Sequence, residues 1–251
     1  MLFQQADYDL RCEWGLQGLL HLSPISSAVV IVDVLSFSTA VDIAIANGAA
    51  VIPYRWRDES AAPFAKEKSA QLACERRSQG SYSLSPASLQ SIACGTVLVL
   101  PSPNGSTLSL SANVPTFAAC LRNAEAVASY LGRFGDVAVI PAGERWGDDS
   151  LRPCLEDWIG AGAVLSLLRG RRSPEADLAV AVFERCRADL NGALSFCESG
   201  RKLIERGFAR DIELAAEYGA SAAVPMLEAD RFVNAARGRD DESIAPASVR
   251  A

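Results

Sequence analysis

The chain has 251 residues, 49% apolar and 22% charged, which suffices for one large core or two small packed subdomains. Its 24 Lys and Arg against 30 Asp and Glu leave a formal charge of −6 with no basic block, which argues against nucleic acid or an anionic membrane as partner. The one histidine, His21, excludes binuclear metallophosphatases and HExxH proteases, and a Ser-His-Asp triad would have to use His21 itself.

In chain order, Met1–Leu10 carries Asp7 and Asp9 without a basic stretch and does not read as a signal peptide. Val29–Leu35 (VVIVDVL) predicts a buried strand, and Ser38–Asn47 a helix with Ser38 as N-cap and Gly48 as its stop. Ala50–Tyr54 predicts a strand, and Asp58–Lys68 a helix capped by Asp58 and disturbed by Pro63. Cys74–Pro86 is the longest irregular loop inside the core. Strands follow at Thr96–Pro101, Thr116–Leu121 and Val137–Ala142, with an amphipathic helix at Asn123–Phe134 led by Asn123. Pro153–Leu168 predicts a long apolar helix, which suits a core or a homodimer interface equally well. Pro174–Leu190, capped by Ser173, is a further helix. Ser199–Arg206 and Asp211–Tyr218 form a helical pair broken at Gly207, and Ala222–Leu227 is a last strand. Residues 1–236 thus read as a single α/β domain, three layers deep, with a mostly parallel or mixed sheet, and 237–251 as a fraying tail.

Seven cysteines without a CxxC pair suggest reduced, buried thiols and a cytoplasmic address. No apolar run approaches the roughly 20 residues of a membrane span. GxGxxG and GxxxxGK[ST] are both absent, which argues against a nucleotide-dependent enzyme on a Rossmann-like sheet.

In open α/β sheets ligands bind beyond the carboxyl ends of strands, so the polar residues there are the site candidates. Asp33 interrupts a run of valines and isoleucines, where a buried carboxylate must be paired, metal-bound or a helix cap. Leu35 stands where the haloacid-dehalogenase pattern needs a second Asp. Asn104-Gly105-Ser106 follows a strand and opens a helix, where backbone N–H groups favour an anion. Arg122-Asn123 and Gly143-Glu144-Arg145 follow two other strands. Glu156-Asp157 opens the apolar helix, a reasonable place for Mg2+, although acids are common there for dipole reasons alone.

These segments together resemble the 2-phosphosulfolactate phosphatase family, from about Ala28 to Leu227. VVIVDVLSFSTAVDIAIANGA is similar to the family's opening strand, aspartate and helix. Cys74-Glu75-Arg76 stands at its Glu-containing glycine-rich loop. Ser85-Pro86, Asn104-Gly105-Ser106, Asn123-Ala124, Ala142-Gly143, Leu155-Glu156-Asp157, Ser199-Gly200 and Val224-Pro225 follow in the family's order. The resemblance implies a Mg2+-dependent phosphatase acting on a small anionic substrate, 2-phosphosulfolactate or a related phosphorylated acid, a step towards coenzyme M.

On that reading Asp33, Glu156 and Asp157 hold Mg2+, and Glu75 or Glu144 orients or deprotonates the attacking water. Asn104, Gly105, Ser106 and Asn123 donate hydrogen bonds to phosphate, with Arg77 and Arg122 adding charge. Two departures stand out. Ser36 replaces the family's arginine after Asp-Val-Leu, and Arg77 and Ser78 replace glycines in the Glu75 loop. Arg77 is the candidate to restore the guanidinium. The same departures motivate an alternative, a non-catalytic binder of phosphorylated or sulfonated metabolites.

Overall fold

The run of five apolar residues at 28–32 has no polar face, so a strand there must be covered on both sides. It is, in a computed structural model that describes residues 4–56, 58–74, 76 and 81–236. In chain order the elements are β1 (Leu10–Cys12), α1 (Gly15–Leu22), β2 (Ala28–Val32), α2 (Phe37–Ala46), β3 (Ala50–Tyr54), α3 (Ala61–Glu67) and β4 (Gln71–Leu72). Then come β5 (Val97–Pro101), α4 (Gly105–Ser109), β6 (Thr116–Ala119), α5 (Ala124–Leu131), β7 (Val137–Pro141), β8 (Glu144–Arg145) and β9 (Leu151–Arg152). The rest is α6 (Leu155–Leu167), α7 (Pro174–Cys186), α8 (Leu190–Phe196), α9 (Glu198–Glu205), α10 (Ala209–Ala215), β10 (Pro225–Glu228) and β11 (Arg231–Asn234).

Among the described residues nine strands form one sheet in the order β1-β7-β2-β6-β10-β11-β3-β5-β4, and β8 and β9 pair separately. The β1-β7-β2-β6 set is parallel, as is β3-β5-β4. The antiparallel hairpin β10–β11 joins them, pairing antiparallel with β6 on one side and β3 on the other. Three antiparallel steps make the two parallel sets run in opposite senses. Strand-end logic therefore brings the ends of β2 and β7 together. The end of β5 reaches them only through the loop after it.

Alternation along β2 sorts the core. Val30 and Val32 pack with Phe117, Val139, Ile159 and Val164 beneath α5 and α6. Val29 and Ile31 face the other way, onto Leu19, Leu22 and Leu108 of α1 and α4. The α2 face packs on Val51, Leu98 and Phe232 of the second set. The result is a three-layer α/β fold with a mixed sheet.

Several boundaries differ from the sequence reading, each for a local reason. β2 ends at Val32, because Asp33 leaves the ladder: its carbonyl accepts Ser38 N–H at 2.8 Å and its Oδ1 accepts Phe37 N–H at 3.3 Å. The first turn of α2 is thus capped by Asp33. Ser36 is the N-cap, and the expected cap Ser38 instead donates its hydroxyl to Ile31 O at 3.2 Å. Asn123 does stand at the N-cap of α5, but its amide turns backwards onto Cys120 N–H and Ala118 O. α3 starts at Ala61, so Pro63 falls in its first turn, where a missing N–H costs nothing. Ser173 caps α7 as expected, accepting Ala176 N–H at 3.1 Å. The helix then breaks, and Asp189 caps α8 through Gly192 N–H at 2.8 Å. Elements β1, α1, β4, β11 and the β8–β9 hairpin carry no clear period in the sequence. The tail expected at 237–251 lies outside the described residues.

All seven cysteines are free. Cys12, Cys120, Cys154 and Cys197 are buried as expected, whereas Cys74 and Cys94 are exposed. Among the described residues no helix is long and apolar enough to cross a membrane.

Candidate active site

Two buried carboxylates, on Asp33 beyond β2 and Asp157 in the first turn of α6, form the centre of the site. They are 7% and 3% exposed. Both are held by backbone amides. Asp33 Oδ2 accepts Gly105 N–H at 3.0 Å, besides Phe37 N–H on Oδ1. Asp157 accepts Val34 N–H at 2.8 Å on one oxygen and Gly143 N–H at 2.8 Å on the other. The first link ties α6 to the residue after Asp33, and the second ties it to the end of β7.

Glycine is required at the two donors. A Cβ on Gly105 would lie 2.2 Å from Phe37 Cδ1 and 2.8 Å from Asp33 Oδ2, so a side chain there would push the amide off the carboxylate. Gly143 has φ +68°, and a Cβ there would come within 2.8 Å of Arg152 O. The sequence singled out Gly105 as a phosphate cradle; in the structure its N–H is spent on Asp33.

Electrostatics mark the pair. Burial, followed by the nearby Glu144 carboxylate, pushes Asp33 up to about 7. Burial, followed by the charges of Asp33 and Glu156, holds Asp157 well above the usual carboxylate range. A buried carboxylate raised by the charge of a second one nearby favours holding a proton or gaining a cation partner.

Glu144, on β8, is exposed and accepts Asn104 Nδ2 at 3.1 Å, so Asn104 and Glu144 meet across 40 residues of sequence. Glu156 is 3% exposed, and its charge acts on the Cys197 thiol, whose Sγ donates to Leu194 O at 3.1 Å. Burial and the Glu156 charge push that thiol up to about 12. Among the described residues no three His, Cys, Asp or Glu side chains converge as a ready-made metal shell. Asp33 and Asp157 nonetheless supply an all-oxygen pair, and Mg2+ is commonly bound by one or two carboxylates with water and phosphate oxygens completing the sphere. The donor set fits Mg2+ on that footing, and Glu156 is a third buried carboxylate whose charge acts on both.

The other expected residues lie elsewhere. Ser106 Oγ donates to Leu100 O and accepts Tyr54 N–H, stitching α4 to β5 and β3. Arg122 is pinned by Asp42 at 3.0 Å, by the Leu214 carbonyl at 3.1 Å and by Glu217. The Asn123 amide is fully buried in its own loop. Glu75 and Arg77 lie outside the described residues. Their neighbour Arg76 is described, and it stands at Ser36: Nη2 donates to Ser36 Oγ at 2.7 Å, while Nη1 pairs with Asp211 at 2.5 Å. The guanidinium beside Ser36 thus comes from Arg76. Asp211 also accepts Ser85 Oγ at 2.5 Å and Ala87 N–H at 3.1 Å, so it knits α10 to both loops. The sequence marks Asp211 only as the start of a helix, where acids are common, and carries no local signal of these partners.

Three curated relatives align along most of their length. A probable 2-phosphosulfolactate phosphatase of Carboxydothermus hydrogenoformans is 35% identical over 208 residues, 79% of this chain and 85% of the relative. Another, of Pseudothermotoga lettingae, is 26% identical over 216 residues, 82% and 92% of the two chains. The 2-phosphosulfolactate phosphatase of Methanothermobacter thermautotrophicus is 28% identical over 212 residues, 82% and 89%. The family model for 2-phosphosulpholactate phosphatase matches residues 17–230, a span that takes in Asp33, Gly105, Gly143 and Asp157, and the chain therefore belongs to that family of phosphomonoester hydrolases.

Proposed function

We propose that this chain hydrolyses 2-phosphosulfolactate or a closely related phosphorylated acid with the help of Mg2+. The observation that carries this reading is the Asp33–Asp157 pair, buried, fixed by four backbone amides and set against further carboxylates rather than an arginine. Asp33 and Asp157 would hold the ion. Bound there, Mg2+ supplies charge neutralisation at the phosphoryl oxygens.

The chain's own residues supply the rest. Gly105 and Gly143 fix the orientation of the two carboxylates, so they need no reorganisation during reaction. Glu144, with one oxygen held by Asn104, orients the attacking water and takes its proton. The water oxygen bonds to phosphorus, the P–O ester bond breaks, and the departing alkoxide takes a proton from solvent. Arg76 holds Ser36 at the start of α2, the helix whose first N–H steadies Asp33. A cytoplasmic setting is part of the same reading.

The test is phosphate release from phosphosulfolactate and from simple phosphate esters, with Mg2+ and with EDTA. Release that needs Mg2+ and is lost in Asp33→Asn supports the reading. Undiminished release by Asp33→Asn overturns the role given to that residue. Tight binding of phosphosulfolactate without turnover replaces the enzyme with a binder.

A further inference from the structure

A cleft of about 200 Å3 lies between the start of α1 and the loop and helix after β5. Its walls include Trp14, Pro103, Leu108 and Leu151, with Asn104 and Arg145 at the polar edge. It adjoins the site at three points. Asn104 lines the cleft and binds Glu144. Ala142 lines it, and the next residue, Gly143, binds Asp157. Trp14 lines it and packs edge-on against Trp158, the residue after Asp157, with ring centroids 5.8 Å apart.

The lining is unlike that of a polyanion site. Among the described lining residues the one cation, Arg145, already donates to Asp149 O at 2.9 Å and pairs with the Asp149 carboxylate at 3.6 Å. Apolar side chains make up much of the wall. The volume exceeds the about 150 Å3 in which an engineered apolar cavity holds benzene. A compact, highly charged leaving group gains little from such walls, whereas a flat apolar one gains by leaving water.

Resting on the phosphomonoesterase reading, we propose that this cleft is a leaving-group subsite and that, among phosphomonoesters of uncharged alcohols, it favours those carrying a compact aromatic or branched apolar group. The substrate range of this chain then extends beyond small phosphorylated acids to esters of the benzyl type.

Benzyl and ethyl phosphate test this, because their leaving alcohols are similarly basic and differ mainly in the apolar group. The full-length chain with Mg2+ is expected to show kcat/KM at least about tenfold higher for benzyl phosphate. Trp14→Ala, and independently Thr107→Phe, which fills the cleft, are expected to collapse that ratio towards one; Trp14→Phe retains it. Calorimetry with benzylphosphonate and ethylphosphonate, which have no ester bond to cleave, reads the same preference as affinity. A ratio near one in the native chain, or a preference that survives both cleft variants, overturns the proposal and leaves the phosphatase reading intact. Preferential benzylphosphonate binding without turnover of any ester sustains the subsite and overturns the phosphatase reading instead.

Discussion

Among the described residues four aspartates are almost fully buried, and they fall into two pairs. Asp42 and Asp211, 0% and 1% exposed, each meet an arginine, Arg122 and Arg76. Asp33 and Asp157, 7% and 3% exposed, are met by backbone amides and by other carboxylates, with no Lys or Arg ion pair among the described residues. Burial is the same; the partner differs. A buried carboxylate paired with an arginine on a neighbouring element joins elements together. One fixed by amides and set near another carboxylate retains its demand for a cation, which is why it is the candidate for the functional role proposed above.

Mutation separates the pairs. Asp33→Asn is expected to lower phosphate release by about 10²–10⁴-fold. Its fold changes by no more than about 1–2 kcal/mol, since the loss of one acceptor is offset by removal of a repelling charge. Activity and thermal melts on the same preparation check both halves; a large loss of stability would put Asp33 with the structural pair. Asp211→Ala is expected to do the reverse. It leaves Arg76, Ser85 Oγ and Ala87 N–H without their acceptor and costs about 3–5 kcal/mol in urea unfolding.

The pH dependence of stability sharpens the contrast further. Burial outweighs Ser221 and Arg122 at Asp42 and pushes it from 3.8 up to about 6. The folded state therefore holds this proton over a window in which the unfolded chain has lost it. Stability from Asp42 is full below pH 3.8 and declines as pH rises to about 6. A shift of about two pH units corresponds to about 3 kcal/mol. Urea midpoints of the native chain and Asp42→Asn across that window are expected to differ in slope, with the variant flatter. Gly105→Ala comes next: its Cβ meets Phe37 and Asp33, at a cost of about 1–3 kcal/mol and with activity falling more than stability. His21→Ala is the control. His21 is exposed, with its ring on Gln17 O at 2.7 Å, and its loss is expected to change stability by less than about 0.5 kcal/mol and leave turnover unchanged.

Elements with a complete local signature were legible in the sequence. β3 runs over Ala50–Tyr54 as the apolar run predicts, and Ser173-Pro174 starts α7 as a cap and first-turn proline should. α1 was not legible, since GLQGLLHL carries two glycines and no side-chain cap; tertiary packing of Leu19 and Leu22 makes it. In the site, Asp33 announced itself as an acid inside an apolar run and Asp157 as one of an acidic pair opening an apolar helix. What the sequence could not convey was who meets whom. Arg122 and Asp42 are 80 residues apart, and Arg76 and Asp211 are 135 apart. No local pattern distinguishes an arginine that reads a ligand from one that anchors a helix.

The hairpin at 225–234 has a consequence for synthesis. It is the only partner of β6 on one side and of β3 on the other among the described strands. Until those ten residues leave the ribosome, the growing chain carries two half-sheets, each with a bare hydrogen-bonding edge. A truncation before residue 225 strips both edges at once. Its expected fate is edge-to-edge association between copies, a vulnerability the finished chain closes with its last strands.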